Sequence, residues 1–127
     1  MRILFAISIL SILGFGCKSK VTNKETGATF KDVDVTEANA MIAQNKDLVI
    51  LDVRTPEETD KGIIPNAIII DFYNDNFDSE IAKLDKSKPY LVYCRSGGRS
   101  VGASNKMIDA GFEDVTNMKG GYTAWSK

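Results

Sequence analysis

Short apolar runs alternate with helix-type patterns along most of this chain. The runs at residues 48–51, 67–70 and 89–93 are each followed by a candidate capping residue and a segment that suits a helix. Strands that alternate with helices in this way favour an α/β fold with a mainly parallel sheet. In such sheets a ligand binds beyond the carboxyl ends of the strands. Functional residues are therefore expected directly after the apolar runs.

Capping residues and apolar spacing place the helices between these runs. Thr55 and Pro56 suit a cap and a first helical residue, and the acids after them suit a first helical turn. We predict a helix capped by Thr36, a helix from Thr55 to Gly62, a helix from Asp78 or Ser79 through Leu84, a helix over residues 100–110, a strand over residues 115–118 and a terminal helix containing Trp125.

The third apolar run ends at Cys94, which is followed by a glycine-rich loop and a helix start. Gly97 and Gly98 allow a backbone in which successive N–H groups turn inward and form an anion-binding nest. Those amides, the positive end of the helix dipole and the nearby Arg95 and Arg99 all favour a thiolate over a thiol. The loop therefore predicts a reactive cysteine that acts on an anionic substrate.

The other loop side chains suit the same chemistry. Arg99 carries a planar charged fork that fits oxyanions, and Ser96 and Ser100 add hydroxyl donors. The alternative is a buried, inert cysteine between a strand and a turn. Two arginines beside two glycines argue against that alternative.

The chain contains no histidine, which excludes several classes of catalytic site. Cys–His proteases and Ser–His–Asp hydrolases both need one. A histidine-ligated zinc site is excluded too, and a single free cysteine cannot build a thiolate cluster, so we expect no metal and no cofactor. The chain has 16 basic and 17 acidic side chains, so nothing indicates a nucleic-acid partner.

Residues 1–16 have the pattern of a secretory signal peptide, with Arg2 before an apolar run that is too short to cross a bilayer. The small residues before Cys17 resemble the lipobox of bacterial lipoproteins, although Gly14 stands where that motif usually has leucine. The resemblance implies a lipid on Cys17 and a membrane-anchored protein of the bacterial cell envelope, facing the periplasm or the exterior. An ordinary cleaved signal and an uncleaved anchor are the alternatives.

The polar residues 17–32 predict a tether between this anchor and one folded domain at residues 33–127. Lipid on Cys17 would leave Cys94 as the only free thiol of the mature chain. A lone thiol in an oxidising compartment suggests use. We expect the domain to be a monomer.

Four motifs follow one another in the predicted domain. They read LDVRTPEE from Leu51, GIIPNA from Gly62, CRSGGRS from Cys94, and GF at residues 111–112 with GGYTAW from Gly120. In this order they resemble the rhodanese family of sulfurtransferases in its single-domain form. The resemblance implies a three-layer fold, with helices on both faces of a central, mainly parallel sheet.

The resemblance also implies a mechanism. Cys94 would attack the outer sulfur of a small anionic donor such as thiosulfate, carry that sulfur as a persulfide and pass it to an acceptor such as a thiol or cyanide. The backbone from Arg95 to Ser100 would hold the persulfide, and Arg95 and Arg99 would attract the donor. The loop from Cys94 through Arg99 spans six residues, the length associated with sulfur transfer.

Two positions depart from the family pattern. Ile63 replaces a common histidine, which we expect to alter a packing contact. Glu58 stands where some two-domain relatives have a thiosulfate-binding arginine, which leaves the natural donor open. Asp52 and Arg54 have two interpretations: Asp52 is a catalytic carboxylate at a strand end, or the two residues support the loops through hydrogen bonds and an Arg54–glutamate pair.

Two other functions stay open at this point. A non-catalytic rhodanese-like binding or scaffolding module is the first, although such modules commonly lack the cysteine that this chain keeps at position 94. A phosphatase or arsenate reductase is the second. Those relatives have a loop one residue longer, so the shorter loop favours sulfur transfer.

Overall fold

The computed structural model describes residues 29–127, which form a five-stranded sheet with helices on both faces. The strands are β1 (Lys31–Val33), β2 (Val49–Asp52), β3 (Ile68–Ile69), β4 (Pro89–Tyr93) and β5 (Asp114–Met118). They lie in the order β1-β5-β4-β2-β3, and every neighbouring pair is parallel. The predicted α/β fold is confirmed. The predicted signal peptide, Cys17 and residues 18–28 of the predicted tether lie outside the described residues.

One helix follows each strand. The helices are α1 (Val35–Gln44), α2 (Pro56–Thr59), α3 (Phe77–Ile81), α4 (Gly98–Asp109) and α5 (Gly121–Trp125). Between residues 29 and 127 no helix has both the length and the apolar character that crossing a membrane requires.

The central strand β4 shows why the fold has three layers. Tyr90 and Val92 belong to a core shared with α3 and α4, whereas Leu91 and Tyr93 belong to a core shared with α1 and α5. Successive side chains of a strand point to opposite faces, so a strand covered on both faces is apolar throughout. Cys94 follows Tyr93 and returns to the first core, with its side chain on the α3 and α4 face.

The register of the sheet brings two functional segments together. Asp52 pairs with Tyr93 across β2 and β4, and the Val53 amide donates to the Tyr93 carbonyl at 3.0 Å. The carboxyl ends of these strands therefore lie side by side, and the residues that follow each strand share one edge of the sheet. That edge holds both predicted site segments.

Some predicted boundaries are wrong for local reasons. Asp34, not Thr36, caps α1, because its carboxylate accepts the Glu37 amide at 2.8 Å. β1 begins at Lys31, within the segment predicted as a tether. Its three residues form a strand because they pair with β5, and they were not predicted as one because they carry no local strand pattern. α3 begins at Phe77, before the predicted caps Asp78 and Ser79, and ends at Ile81 and not at Leu84.

The carboxyl-terminal helix α5 holds the chain that leaves β4. The Tyr122 amide donates to the Cys94 carbonyl at 2.8 Å, and the Thr123 amide donates to the Arg95 carbonyl at 3.0 Å. Gly121 makes this approach possible, since a Cβ atom there would collide with the Cys94 carbonyl oxygen. Its φ of 57° also lies in the left-handed region that favours glycine.

We expect Gly121→Ala to lower the free energy of unfolding by about 2 kcal/mol or more, because the new methyl group displaces α5 from the Cys94 carbonyl. Urea unfolding followed by circular dichroism measures the change. Gly111→Ala is the matched control, since Gly111 also has a positive φ but has open space around it. Equal losses in the two variants would show that backbone strain alone, and not the collision, sets the cost.

Candidate active site

The Cys94 side chain lies at the start of α4, directly after β4. Its Sγ accepts the Gly97 amide at 3.0 Å and lies 3.3 Å from the Ser100 Oγ, to which the thiol donates. The Ser100 hydroxyl in turn donates to the Gly97 carbonyl at 3.2 Å. The predicted loop therefore does surround the sulfur.

Burial and hydrogen bonding act in opposite directions on the pKa of Cys94. Burial raises the pKa, since it removes water from the thiolate. Hydrogen bonds from the Ser100 hydroxyl and from the amides of Ser100, Gly97 and Ser96 lower it, and together they prevail, so the pKa lies below the ordinary value of a cysteine. When the thiol ionises, the Ser100 hydroxyl can redirect its proton from the Gly97 carbonyl to the sulfur.

The predicted pair of glycines has two different roles. Gly97 has a φ of 124°, which side chains rarely adopt, and this conformation aims its amide at the sulfur. Gly98 has no positive φ and is the first residue of α4. The positive end of the α4 dipole therefore lies next to Cys94 and favours its thiolate.

Cys94 is only 1 % exposed, and the sulfur is approached through an open pocket of about 380 Å³. The lining residues are Phe72, Tyr73, Cys94, Ser96, Gly98 and Arg99. The two aromatic residues come from the segment after β3, so a third strand end contributes to the site. No sequence pattern predicts their role, because their place at the pocket depends on how that segment packs against α4.

Arg99 lies at the pocket, but its charge is already engaged. Its two terminal nitrogens donate to the two carboxylate oxygens of Glu58 at 2.6 and 2.9 Å. The same ion pair lowers the pKa of Glu58 to about 2. Glu58 is predicted as a first-turn acid and as a departure from the family pattern, but no local signal predicts its pairing with Arg99 across 41 residues of chain.

Arg95 does not line the Cys94 pocket. Its side chain is exposed and borders a second pocket of about 390 Å³, together with Arg54, Glu58 and Lys61. The backbone of Arg95 is held by α5. Arg95 can thus attract an anion to the neighbourhood, whereas Ser96 and Arg99 lie at the sulfur itself.

Asp52 and Arg54 form a buried ion pair beneath the loops. Arg54 Nη2 donates to Asp52 Oδ2 at 2.7 Å and to the Gly62 carbonyl at 2.8 Å, and Arg54 Nε lies 3.0 Å from Asp52 Oδ1. The expected Arg54–glutamate pair is wrong, because Asp52 is two residues away on the same strand end and occupies the guanidinium. Both Asp52 oxygens are engaged, which favours the structural interpretation over a catalytic carboxylate.

Within the described residues, no group of three Cys, His, Asp or Glu side chains is placed to hold a metal ion. The functional groups at the pocket include the Cys94 sulfur, its amide and hydroxyl donors, and Arg99 paired with Glu58.

Comparison with known proteins agrees with this geometry. The family model of the rhodanese-like domain matches residues 34–127. The chain is 34 % identical to a putative sulfurtransferase, YtwF, of Bacillus subtilis, covering 75 % of this chain and 89 % of that protein. It is 31 % identical to the thiosulfate sulfurtransferase GlpE of Pseudoalteromonas translucida, covering 76 % and 89 %.

Solved structures show the same likeness. A rhodanese-like domain protein from Staphylococcus aureus superposes with a TM-score of 0.66 at 32 % identity, over 76 % of this chain and 91 % of that chain. A rhodanese-related protein from Thermoplasma volcanium gives a TM-score of 0.68 at 27 % identity. The parallel sheet and the cysteine loop after β4 thus define the class, and the chain belongs to the rhodanese-like family.

We expect Ser100→Ala to raise the pKa of Cys94, because it removes the hydroxyl that donates to the thiolate. The rate of Cys94 alkylation by iodoacetamide, followed as a function of pH by peptide mass spectrometry, should then rise at higher pH than in the wild type. Ser96→Ala is the control, since Ser96 acts through its amide, which alanine keeps. Identical profiles for all three proteins would contradict the role of the hydroxyl.

We expect Asp52→Asn to lower the free energy of unfolding by about 3–5 kcal/mol, because it leaves the buried Arg54 cation without its charge partner. Asp78→Asn is the control. It breaks the exposed ion pair with Lys106 and should cost no more than about 1 kcal/mol. Urea unfolding of both variants measures the difference, and similar small losses would rule out a stabilising role for the buried pair.

Proposed function

We propose that this protein is a sulfurtransferase in which Cys94 carries the transferred sulfur as a persulfide. The observation that carries the proposal is the 3.0 Å contact between the Gly97 amide and Cys94 Sγ, at the base of an open pocket. This contact and the lowered pKa favour the thiolate, which is the nucleophilic form. Membership of the rhodanese-like family and relatives named as sulfurtransferases support the same class of reaction.

The proposed reaction consists of two displacements at sulfur. In the first, the Cys94 thiolate attacks the outer sulfur of a donor such as thiosulfate, and sulfite leaves with the electron pair of the broken S–S bond. In the second, a thiol or cyanide acceptor attacks the outer sulfur of the persulfide, and Cys94 leaves as a thiolate. The nucleophile at Cys94 is already an anion, so the first step needs no histidine base, in keeping with a chain that has none.

The surrounding groups have distinct parts in this proposal. The loop amides and the Ser100 hydroxyl stabilise negative charge on Cys94 both before attack and when it leaves. Arg95, in the neighbouring pocket, attracts an anionic donor from a distance. Asp52 and Arg54 hold the strand ends beneath the loops and take no part in bond making.

The pattern of residues 1–17 supports a further part of the proposal. We propose that the protein is a lipoprotein of the bacterial cell envelope, anchored through lipid on Cys17 and facing the periplasm or the exterior. The polar residues after Cys17 would give the domain reach from the membrane, and the domain would act as a monomer. Its donor and acceptor would then be small molecules of that compartment.

Incubation with a sulfane donor should add one sulfur mass to the protein, and peptide mapping should place it on Cys94. Thiosulfate and an organic hydropersulfide are the donors to test, because the proposed function requires loading by at least one of them. Cyanide should then remove the sulfur and release thiocyanate. Cys94→Ser is the control and should stay unloaded. Mass spectrometry of the protein from its native host would also show whether Cys17 is lipidated.

Two results would contradict the proposal. A wild-type protein that never takes up sulfur from any sulfane donor would favour the binding or scaffolding module. Hydrolysis of an aryl phosphate that is lost in Cys94→Ser would favour a phosphatase.

A further inference from the structure

Arg99 is the only cationic side chain that lines the Cys94 pocket in the described part of the chain. Glu58 engages it through two hydrogen bonds, and both side chains are largely sheltered, with 15 % of Arg99 and 26 % of Glu58 exposed. Such an ion pair has no net charge and presents little potential to a ligand beside it. The side chains that line the pocket, together with Glu58, therefore carry a net negative charge when Cys94 ionises.

Lys61 and Arg95 are cations near the site that form no ion pair among residues 29–127. Both border the second pocket and not the pocket that reaches the sulfur. A dianion that enters the Cys94 pocket meets a thiolate with no unbalanced positive side chain there. Thiosulfate is such a dianion, so no unbalanced cationic side chain of this pocket favours its close approach.

The rest of the wall is aromatic. Tyr73 is 68 % exposed, and its ring lies over Arg99 with 5.4 Å from the ring centre to the guanidinium carbon. Phe72 packs against Phe77 with ring centres 5.3 Å apart. Its ring also lies so close to Gly102 of α4 that a Cβ at that position would come within 2.8 Å of it. An exposed aromatic ring beside a reactive sulfur suits a ligand with an apolar body.

We propose that the Glu58–Arg99 pair and the wall formed by Phe72 and Tyr73 make Cys94 selective for organic hydropersulfides with an apolar or aromatic body over thiosulfate. This inference rests on the proposed sulfurtransferase function and names its donor class. In the loading step the Cys94 thiolate attacks the terminal sulfur of R–S–SH. The new bond joins Sγ to that sulfur, which keeps its proton, while the donor S–S bond breaks and R–S⁻ leaves. No oxidant or reductant is needed.

The test compares two substitutions on α2, Glu58→Gln and Glu57→Gln, since Glu57 is exposed and Arg99 pairs with Glu58 instead. Second-order rate constants for Cys94 loading are measured by mass spectrometry with thiosulfate and with benzyl hydropersulfide. Each rate is divided by that of a free cysteine thiol, which removes the intrinsic reactivity of the donor. Glu58→Gln should raise the thiosulfate rate about tenfold, because it leaves the Arg99 charge unbalanced, and should change the hydropersulfide rate by less than about twofold.

Tyr73→Ala tests the aromatic wall independently, and we expect this variant to fold because the Tyr73 side chain is exposed. It should lower the hydropersulfide rate several-fold more than the thiosulfate rate. If Glu58→Gln does not fold, as judged by circular dichroism, this variant decides the question alone. Equal loss of both rates in Tyr73→Ala, or a folded Glu58→Gln that loads thiosulfate no faster than Glu57→Gln, would overturn the inference.

Failure of the proposed function has a different signature. In that case the wild type takes up no sulfur on Cys94 from either donor, and no ratio of rates can be formed. A wild type that is loaded by both donors with the preference of a free thiol keeps the sulfurtransferase function and overturns only the donor selectivity.

Discussion

The site depends on contacts that hold Cys94 from two sides, one at its carbonyl and one at its sulfur. α5 fixes the Cys94 carbonyl through the Tyr122 amide, while the Gly97 amide at the start of α4 fixes the sulfur of the same residue. Neither contact would form if the chain left β4 at another angle, and that angle is set by the parallel pairing of β4 with β2 and β5. The surroundings of the sulfur thus depend on sheet geometry together with the donors and the Gly97 conformation that the loop supplies.

Two ion pairs of opposite character support this arrangement. Asp52 and Arg54 are almost wholly buried, and together they connect the end of β2 to the Gly62 carbonyl. This second contact matters because a buried ion pair offsets its desolvation cost only when its hydrogen bonds are satisfied. Arg99 lines the Cys94 pocket, and Glu58, which borders the neighbouring pocket, neutralises its charge. The first pair is therefore expected to contribute to stability, and the second is proposed to influence which ligand reaches the sulfur.

Much of the fold and the centre of the site could be predicted from the sequence, because their causes are local. The apolar run of β4, the Thr55-Pro56 helix start and the glycine after Cys94 each reveal their role within a few residues. The parts that could not be predicted depend on partners far along the chain. β1 forms only because β5 lies beside it, Arg99 finds Glu58 across 41 residues, and the segment carrying Phe72 reaches the pocket only after folding over α4.

The hydroxyl of Ser100 lies between two acceptors, the Gly97 carbonyl and the Cys94 sulfur. Rotation of the Ser100 hydroxyl about its C–O bond directs its proton to the Gly97 carbonyl when the sulfur is a thiol and to the sulfur when it is a thiolate. Every heavy atom can stay in place. Such rotations of a hydroxyl are among the fastest motions in a protein. The reorganisation energy of charging and discharging Cys94 is therefore expected to be small, because the hydroxyl can adapt without a movement of the loop backbone.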